Sequence, residues 1–401
     1  MKRLIALGMA AVALAMAARL AAGTNPNTLT LAVFGDTPYF DPAFDPAPPW
    51  TKVPPKLPGA EFNKTQAFIN TINADPSVQD VIQVGDIHSG SEACTKPYDQ
   101  AIFNFWTAFV RPLIYTPGDN EWSDCSKAKE LAGLDVFGNP PDNAGVAGGP
   151  VANPIAHLNL VRSIFFANAG WTLGQNPMQV ISQKTAFDPG HSDDAAYVEN
   201  VMWEQSKTVF VTLNIPGGSN NDTDAWNGPG NTNDPLKERD VRTPADVRWL
   251  YQAFALAEAH NAHSVVIIGQ ADMWDVADTV KDHQSFYEPI IFAMADNAMR
   301  YGKPVLYLNG DSHIYRSDNP LQASSTCYAE DSSCSIDGWT HHPFYNVPNF
   351  HRIVVHGSTF PLEWLKLSID PRAAWENASS PTSWGPFSWQ RKTQTQLTPA
   401  H

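Results

Sequence analysis

The sequence predicts an α/β fold, because short buried strands alternate with helices along the chain. Apolar, β-branched runs of strand length recur from residue 29 to residue 308. Amphipathic segments fall between several of these runs, and each run stops at a loop that carries acids or amides. Buried strands of this kind present ligands at their carboxyl ends, so we expect a functional site along that edge.

Six runs are predicted as strands, and a polar loop follows each of them. The runs are 29–34, 81–84, 113–116, 208–213, 265–268 and 305–308. The loops are Gly35-Asp36, Gly85-Asp86, Pro117-Gly118-Asp119-Asn120-Glu121, Asn214-Ile215-Pro216-Gly217, Gly269-Gln270-Ala271-Asp272 and Asn309-Gly310-Asp311-Ser312-His313. The recurrence of this arrangement, more than any single motif, favours one shared site.

Four helices are predicted, over 61–74, 98–110, 244–260 and 286–300. Thr243-Pro244 looks like an N-cap followed by proline in the first turn, so we expect the third helix to begin there. Two stretches rich in Gly and Asn, 133–154 and 217–234, are predicted as long loops.

The two ends of the chain are expected to lie outside the catalytic domain, which spans 24–370. Lys2 and Arg3 precede a short apolar run and small residues, so residues 1–23 are predicted as a signal peptide. The mature protein is then expected to be secreted or periplasmic, with no membrane span. Residues 371–401 are predicted as a polar C-terminal tail that contains Trp375, Trp384 and Trp389.

The net charge argues against nucleic acid as a stable partner. The formal charge of −15 becomes −18 after residues 1–23 are removed, because they contain three basic residues and no acid. Such a surface repels a phosphate backbone, whereas acids gathered in one cleft would attract cations.

The four cysteines are predicted to form disulfides in an oxidising compartment, since none lies in a CxxC pair. Three pairings are possible. We favour Cys94–Cys125 with Cys327–Cys334, because that pairing closes the shortest loops.

Gly-Asp dipeptides follow four of the predicted strands, at Asp36, Asp86, Asp119 and Asp311. Their number is weak evidence, because composition alone predicts about two, but their shared position after predicted strands is informative. Carboxylates at neighbouring strand ends repel one another unless a cation lies between them. Together with His313, these hard oxygen donors suit one or two divalent metal ions.

In these motifs and their order the chain resembles the calcineurin-like metallophosphoesterases, which include the purple acid phosphatases. Gly35-Asp36 matches the first motif of that family, and Gly85-Asp86 the second. The segment from Gly118 to Glu121 stands at the third motif, 266–272 at the fourth, and Gly310 to His313 at the fifth. The segment Gly118-Asp119-Asn120-Glu121-Trp122 is similar to one in secreted bacterial members of the superfamily.

The resemblance implies two mixed β-sheets packed face to face with flanking helices, an α/β/β/α sandwich. It also implies a carboxylate-rich, dinuclear metal site that hydrolyses a small phosphoric ester. Two ions, about 3.5–4 Å apart, would share one carboxylate. Mn²⁺, Mg²⁺ or Ca²⁺ is favoured, with Fe or Zn²⁺ also compatible, since carboxylates and amides replace most of the family's histidines.

The resemblance assigns the site residues one by one. Asp86 would bridge the ions and Asp36 would bind one of them. Asp119 and Asp311 would replace other family ligands, His313 would keep its role, and Tyr39 would offer a phenolic oxygen. Either Gln270 or Asp272 would stand for the family's lone histidine.

Catalytic roles are expected for His313, Asn120 and Glu121, and substrate-binding roles for three further residues. Asn120 occupies the position of the histidine that assists the leaving group, and Glu121 is the competing candidate for the acid. His88, Asn214 and Arg316 are candidate substrate contacts. The alternative to an enzyme is a non-catalytic protein that binds a metal, a glycan or a surface through the tail and the Asn-rich loops. The oligomeric state stays open.

Overall fold

The structure is a computed structural model that describes residues 28–39, 60–127, 133–142, 154–221, 234–275, 283–323, 325–330, 344–358, 361–373 and 379–394. The predicted signal peptide, Cys334, Trp375 and the middle of each predicted long loop lie outside the described residues.

Within the described residues, the first sheet has seven strands in the order β13-β14-β15-β12-β1-β2-β3. Its centre is parallel, with β1 beside β2 and β2 beside β3, while β12 runs antiparallel to β1. The carboxyl ends of β1, β2 and β3 therefore meet at one edge. These strands are β1 (Leu29–Phe34), β2 (Asp80–Gln83), β3 (Leu113–Tyr115), β12 (Glu363–Ile369), β13 (Ser379–Ser380), β14 (Ser383–Trp384) and β15 (Phe387–Thr393).

The second sheet, in the part of the chain that the structure describes, has eight strands in the order β10-β9-β11-β8-β7-β6-β5-β4. The strands β6, β7, β8 and β11 are parallel, and the outer ones are antiparallel. The strands are β4 (Ile181–Ser182), β5 (Val201–Gln205), β6 (Thr208–Thr212), β7 (Ser264–Ile268), β8 (Val305–Asn309), β9 (Arg316–Asp318), β10 (Tyr328–Ala329) and β11 (Phe350–Val354).

Helices flank both sheets. The α-helices are α1 (Ala60–Asn73), α2 (Lys96–Trp106), α3 (Pro154–Phe165), α4 (Gln183–Ala186), α5 (Asp234–Ala259) and α6 (Glu288–Tyr301). Three 3₁₀ turns cover Ser123–Ser126, Ser192–Ala196 and His283–Tyr287. A turn at Gly217–Asn221 is left-handed, with φ near +60° from Gly218 to Asn221.

Side-chain alternation along the strands produces four layers. In β7, Val266 and Ile268 face a core shared with the first sheet, whereas Val265 and Ile267 pack with α5 and α6. In β1, Val33 faces the shared core and Phe34 packs with α1 and α2. Because successive side chains point to opposite faces of a strand, each of these central strands is buried against the other sheet on one face and against helices on the other. The predicted α/β fold with two mixed sheets face to face and flanking helices is confirmed.

Two predictions of local structure were wrong. Helix α5 begins at Asp234, nine residues before the predicted N-cap Thr243, and Pro244 lies inside it. Ion pairs of Arg242 with Glu238 and with Asp246 tie together the turns on either side of this proline and so offset the lost backbone hydrogen bond.

The predicted polar tail is also corrected, because its strand β15 pairs with β12 along seven residues. Trp384 and Trp389 are buried in the core between the sheets. This strand was not predicted, since only Phe387 and Trp389 of its seven residues are apolar and most of the polar ones are exposed.

No helix in the described ranges combines the length and apolarity that a membrane crossing requires.

Candidate metal centre

The loops that follow β1, β2, β3, β7 and β8 meet where the two sheets adjoin. Asp36 N–H donates to the Gly85 carbonyl at 3.0 Å, which joins the first two loops. Asp311 N–H donates to Asp36 Oδ1 at 2.9 Å, which joins the first sheet to the second. We call the acids gathered here, Asp36, Asp86, Asp119 and Asp311, the strand-end cluster.

Several members of this site hold a backbone conformation that L-residues rarely adopt. The φ angles are +48° at Asp36, +57° at Asp86, +77° at Asp311 and +64° at His313. Non-glycine residues at positive φ are uncommon, and such strain concentrates at functional sites. The fold therefore forces these side chains into positions that local preference alone would not give.

Asp36, Asp86 and His313 form a group of potential metal ligands. One ligand atom from each lies within 4.8 Å of the others. His313 Nε2 is 3.8 Å from Asp36 Oδ1, and the His313 side chain is 39% exposed while both carboxylates are buried. Asp36 Oδ2 is buried with no hydrogen-bond partner, which is costly for a carboxylate oxygen unless a cation approaches it.

Asp119 and Asp311 converge on the neighbouring Gly217. A Cβ at position 217 would lie 2.4 Å from Asp311 Oδ1 and 2.9 Å from Asp119 Oδ1. A Cβ at position 118 would lie 1.9 Å from Asp86 Oδ1. Only glycine lets the backbone approach these oxygens so closely, so the carboxylates are confined at a short distance from one another.

The acids of the strand-end cluster are buried away from water and repel one another. Burial raises the pKa of Asp86 well above its usual range, and the neighbouring carboxylates of Asp119 and Glu121 raise it further. Burial likewise raises the pKa values of Asp36 and Asp311 well above the usual range. Since a divalent cation would relieve both desolvation and repulsion, the donor set fits one or two hard metal ions.

Tyr39 and Asn120 hold Asp86 in place. Tyr39 Oη donates to Asp86 Oδ2 at 2.8 Å. The Asn120 Nδ2 group lies within hydrogen-bonding distance of Tyr39 Oη at 2.8 Å, Asp86 Oδ2 at 3.0 Å and the His88 carbonyl at 3.0 Å. These contacts orient Asp86, so both side chains take part in the site as hydrogen-bond donors to its carboxylate. Burial raises the pKa of Tyr39 well above its usual value, which favours the neutral phenol.

Gln270 and Asp272, left as alternatives by the sequence, occupy different places. Gln270 Nε2 donates to Asp119 Oδ1 at 2.9 Å and to Asp86 Oδ2 at 3.2 Å. Its Oε1 accepts the Gly217 N–H. Gln270 is therefore the one that touches the strand-end cluster directly with its side chain.

Asp272 instead pairs with Arg352, which sequence analysis did not single out. The Arg352 guanidinium is buried between Asp272 and Asp318. Asp272 N–H donates to Asp311 Oδ2 at 2.9 Å, and its Oδ2 accepts from Ser312 Oγ at 2.8 Å. Through these two hydrogen bonds Asp272 orients the loop that carries Asp311.

The candidate acid Glu121 is buried beneath the loop. Its Oε1 accepts from Tyr115 Oη and from the Gly118 N–H, both at 2.7 Å. Burial raises its pKa. These contacts brace the turn that carries Asp119, and the catalytic roles of Asn120 and Glu121 stay predictions.

The structure gives each of the three candidate substrate contacts a different environment. His88 is buried, and burial lowers its pKa to about 4; only its carbonyl contacts Asn120. Asn214 Nδ2 donates to Glu199 at 2.8 Å, and Arg316 is a half-buried residue of β9. Among the described contacts, none links the side chains of these three residues to the strand-end cluster, and their substrate roles remain predictions.

The disulfide Cys94–Cys125 is present as predicted, with a Cα–Cα distance of 5.7 Å. Cys94 Sγ lies 3.3 Å from the Asn120 carbonyl oxygen, so the bond supports the loop beneath the candidate centre. Since Cys334 lies outside the described residues, the second pairing stays a prediction.

Sequence analysis also missed Lys127. Its Nζ lies 2.9 Å from Asp124 Oδ2. Burial raises the pKa of Asp119, and the Lys127 ammonium opposes that rise, which places this cation near the strand-end cluster. The sequence signal for Lys127 was its position two residues after Cys125. A turn that is bonded by a disulfide next to a Gly-Asp motif is held in place, and so is a lysine on that turn.

The chain matches no protein-family model, and it matches no curated protein sequence. A solved structure similar to it is that of a purple acid phosphatase isolated from yellow lupin (Lupinus luteus) seeds. The sequence identity is 10%, the TM-score is 0.40, and the match covers 94% of this chain and 53% of the lupin protein. The chain therefore spans about half the length of that enzyme, and similarity at this level does not establish a family.

Proposed function

We propose that this protein is a metal-dependent phosphoesterase that hydrolyses a small phosphoric ester at the strand-end cluster. The observation that carries the proposal is the convergence of Asp36, Asp86 and His313 within 4.8 Å, together with the unpartnered buried oxygen of Asp36. Secretion to an oxidising compartment belongs to the same proposal, and the buried disulfide is compatible with it.

Two divalent ions are proposed, and each would have its own ligands. Asp36, Asp86 and His313 would hold one ion. Asp119, Asp311 and the shared Asp86 would hold the other, next to Gln270. Bound ions would supply Lewis acidity, a water of lowered pKa and neutralisation of the phosphoryl oxygens. Because the donors are mostly carboxylates, Mn²⁺, Mg²⁺ or Ca²⁺ should support activity better than Zn²⁺ or Fe.

The surrounding side chains would keep these ligands in place. Tyr39 and Asn120 orient Asp86 through hydrogen bonds of 2.8–3.0 Å. Arg352 and Asp272 orient the loop of Asp311. Such outer contacts fix ligand geometry and are commonly worth about 10–100-fold in metal affinity or activity.

The competing proposal is a non-catalytic binder. Two of the C-terminal tryptophans are too buried to form a glycan-binding surface, because Trp384 and Trp389 are only 2% and 3% exposed. Metal stoichiometry separates the two functions, since two ions per chain favour the enzyme and zero or one favours the binder.

The test combines metal analysis with turnover. Protein stripped with a chelator would be reloaded with Mn²⁺, Mg²⁺, Ca²⁺, Fe²⁺ or Zn²⁺, and its metal content would be compared with hydrolysis of nitrophenyl phosphate and bis-nitrophenyl phosphate. We expect about two ions per chain and metal-dependent release of nitrophenol. Full loading without hydrolysis of either ester would refute the enzymatic proposal.

A further inference from the structure

A second group of metal-ligating side chains lies under the loop that carries Asn120. Among the described residues, one ligand atom each from Cys94, Cys125 and His157 falls within 4.8 Å of the others. All three side chains are buried. The two sulfurs are joined to each other as a disulfide, so they become metal ligands only when that bond is reduced and the thiolates form.

Three separate elements supply these side chains. Cys94 lies just before α2, Cys125 lies in the 3₁₀ turn Ser123–Ser126, and His157 lies in the first turn of α3. The Sγ atoms of the two cysteines are 3.3 and 3.8 Å from the Asn120 carbonyl oxygen. A cross-link that joins all three side chains therefore holds this loop against the beginnings of α2 and α3.

A buried carboxylate lies beside the imidazole. Asp99 is 1% exposed, and neither of its side-chain oxygens has a hydrogen-bond partner in the described part of the chain. Its Oδ2 lies 3.9 Å from His157 Nδ1, so a shift of about 1 Å would bring the two groups into a hydrogen bond. Histidines that bind a metal commonly donate their other ring N–H to such a carboxylate, which fixes the ring.

We propose that reduction of the Cys94–Cys125 disulfide creates a site for one thiophilic divalent ion such as Zn²⁺, bound by both thiolates and by His157. Asp99 would act as a positioning residue for the imidazole. Two sulfurs and one ring nitrogen suit Zn²⁺, whereas the oxygen-rich strand-end cluster suits harder ions. This second site does not depend on the proposed phosphoesterase function.

The chemistry balances with a water-soluble trialkylphosphine as the reductant. The phosphorus gives up two electrons and becomes a phosphine oxide with the oxygen of one water molecule. The S–S bond breaks, and the two hydrogens of that water end on the sulfurs of Cys94 and Cys125. The ion then displaces both thiol protons into solvent and binds the thiolates. The metal thereby replaces the covalent cross-link under the loop of Asn120.

Co²⁺ is the probe, because thiolate ligands give this ion a charge-transfer absorption that carboxylate and imidazole ligands do not give. The full chain would be reduced with the phosphine in urea, reduction would be verified by thiol titration, and the chain would be refolded with and without Co²⁺. We expect about one thiolate-bound Co²⁺ per reduced chain. The oxidised chain should show no such absorption, even with Co²⁺ at its strand-end cluster.

Two pairs of substitutions assign the absorption. Cys94→Ser with Cys125→Ser should abolish it. Cys327→Ser with Cys334→Ser is the matched control, because it removes the other two cysteines and should leave the absorption unchanged. Absorption that survives the first pair, or that is missing from refolded reduced wild type, would overturn the site. A reduced chain that fails to refold even with Co²⁺ would contradict it as well, since the ion should replace the cross-link.

The imidazole and its carboxylate are tested by affinity. Asp99→Asn should weaken the thiolate-bound Co²⁺ about 10–100-fold and leave Co²⁺ uptake by the strand-end cluster unchanged. His157→Gln should weaken the thiolate-bound Co²⁺ more than Asp99→Asn does. Wild-type affinity in His157→Gln would remove the imidazole from the site. Equal losses at both metal sites in Asp99→Asn would show a general structural defect and refute the positioning role.

Discussion

Two groups of buried acids in this molecule differ in what neutralises them. In the second sheet's helical layer, Arg242 is fully buried and lies 2.8 Å from Glu238 and 3.6 Å from Asp246. We call these three residues the arginine-paired cluster. The strand-end cluster gathers four acids with one partly exposed imidazole beside them and a lysine at the edge.

The first group of acids is paired with an arginine of the chain and stabilises the fold, whereas the second group lacks enough cationic charge and favours binding of a cation. The arginine-paired cluster contains its own cation, because Arg242 donates to Glu238 at 2.8 Å and lies 3.6 Å from Asp246. Acids held together without enough cationic charge raise the energy of the folded state until a cation binds. The comparison predicts that mutations in the two clusters will have opposite signatures.

The largest expected effect is on metal binding and turnover. Asp86→Asn removes the negative charge shared by both proposed ions, so it should abolish turnover and most metal binding, and Asp36→Asn should do nearly as much. Metal content and ester hydrolysis measure this. The control is Asp193→Asn at an exposed site, which should change neither quantity. Wild-type turnover by Asp86→Asn would remove the bridging role.

The arginine-paired cluster should instead control stability. Arg242→Met leaves Glu238 and Asp246 without their cation, and breaking a buried ion pair costs about 3–5 kcal/mol. We expect this loss in the free energy of unfolding, measured with urea, together with unchanged metal stoichiometry in the protein that remains folded. Loss of bound metal without loss of stability would reverse the distinction between the clusters.

Arg352 should show a mixed signature, because it is paired like Arg242 yet supports the loop of Asp311. Arg352→Lys keeps the charge but cannot reach Asp272 and Asp318 with the same fork. We expect metal affinity to fall about 10–100-fold. Titration with Mn²⁺ measures it, and Arg300→Lys, on a mostly exposed arginine paired with Asp296, is the matched control.

The smallest effect is a metal-sensitive dependence of stability on pH. Burial raises the folded-state pKa values of Asp36, Asp86 and Asp311, so the metal-free folded protein binds protons that the unfolded chain has released. Binding of these protons stabilises the folded state, and this stabilisation is lost as the pH rises from the unfolded pKa, near 3.8, through the raised folded pKa values.

The measurement is best made between pH 7 and pH 8. Buried His88 and His313, whose pKa values are lowered to about 4, act in the opposite sense only below their unfolded pKa of about 6.5. The free energy of unfolding of chelated protein should fall with rising pH, by at most about 1.4 kcal/mol per pH unit for each titrating group. Mn²⁺ should flatten this slope. Asp246, whose pKa burial raises to about 8, contributes equally with and without metal. A slope that Mn²⁺ leaves unchanged would contradict the argument.

Much of the fold could be predicted from the sequence because its signals are local. The run 29–34 is β1 with the predicted ends, and the five other predicted strands shift by one residue at most at either end. Glycine before an acid at the end of such a run predicted the turns of Asp36, Asp86, Asp119 and Asp311. The strand β15 and the start of α5 could not be predicted, because pairing with β12 and the ion pairs of Arg242 override weak local patterns.

The sequence by itself determined the central strands and which strand ends carry acids, since an apolar run and a following Gly-Asp are properties of neighbouring residues, whereas the face-to-face sheets were implied by the family resemblance. Only the tertiary structure decided that Gln270 touches Asp86 and Asp119 while Asp272 is neutralised by Arg352, and that Lys127 lies beside Asp119. These pairs are separated by 8 to 184 positions along the chain. The contacts of Gln270 depend on how the two sheets pack, the Asp272–Arg352 pair depends on the strand order within the second sheet, and the position of Lys127 depends on the turn after β3. Sequence spacing does not encode any of these.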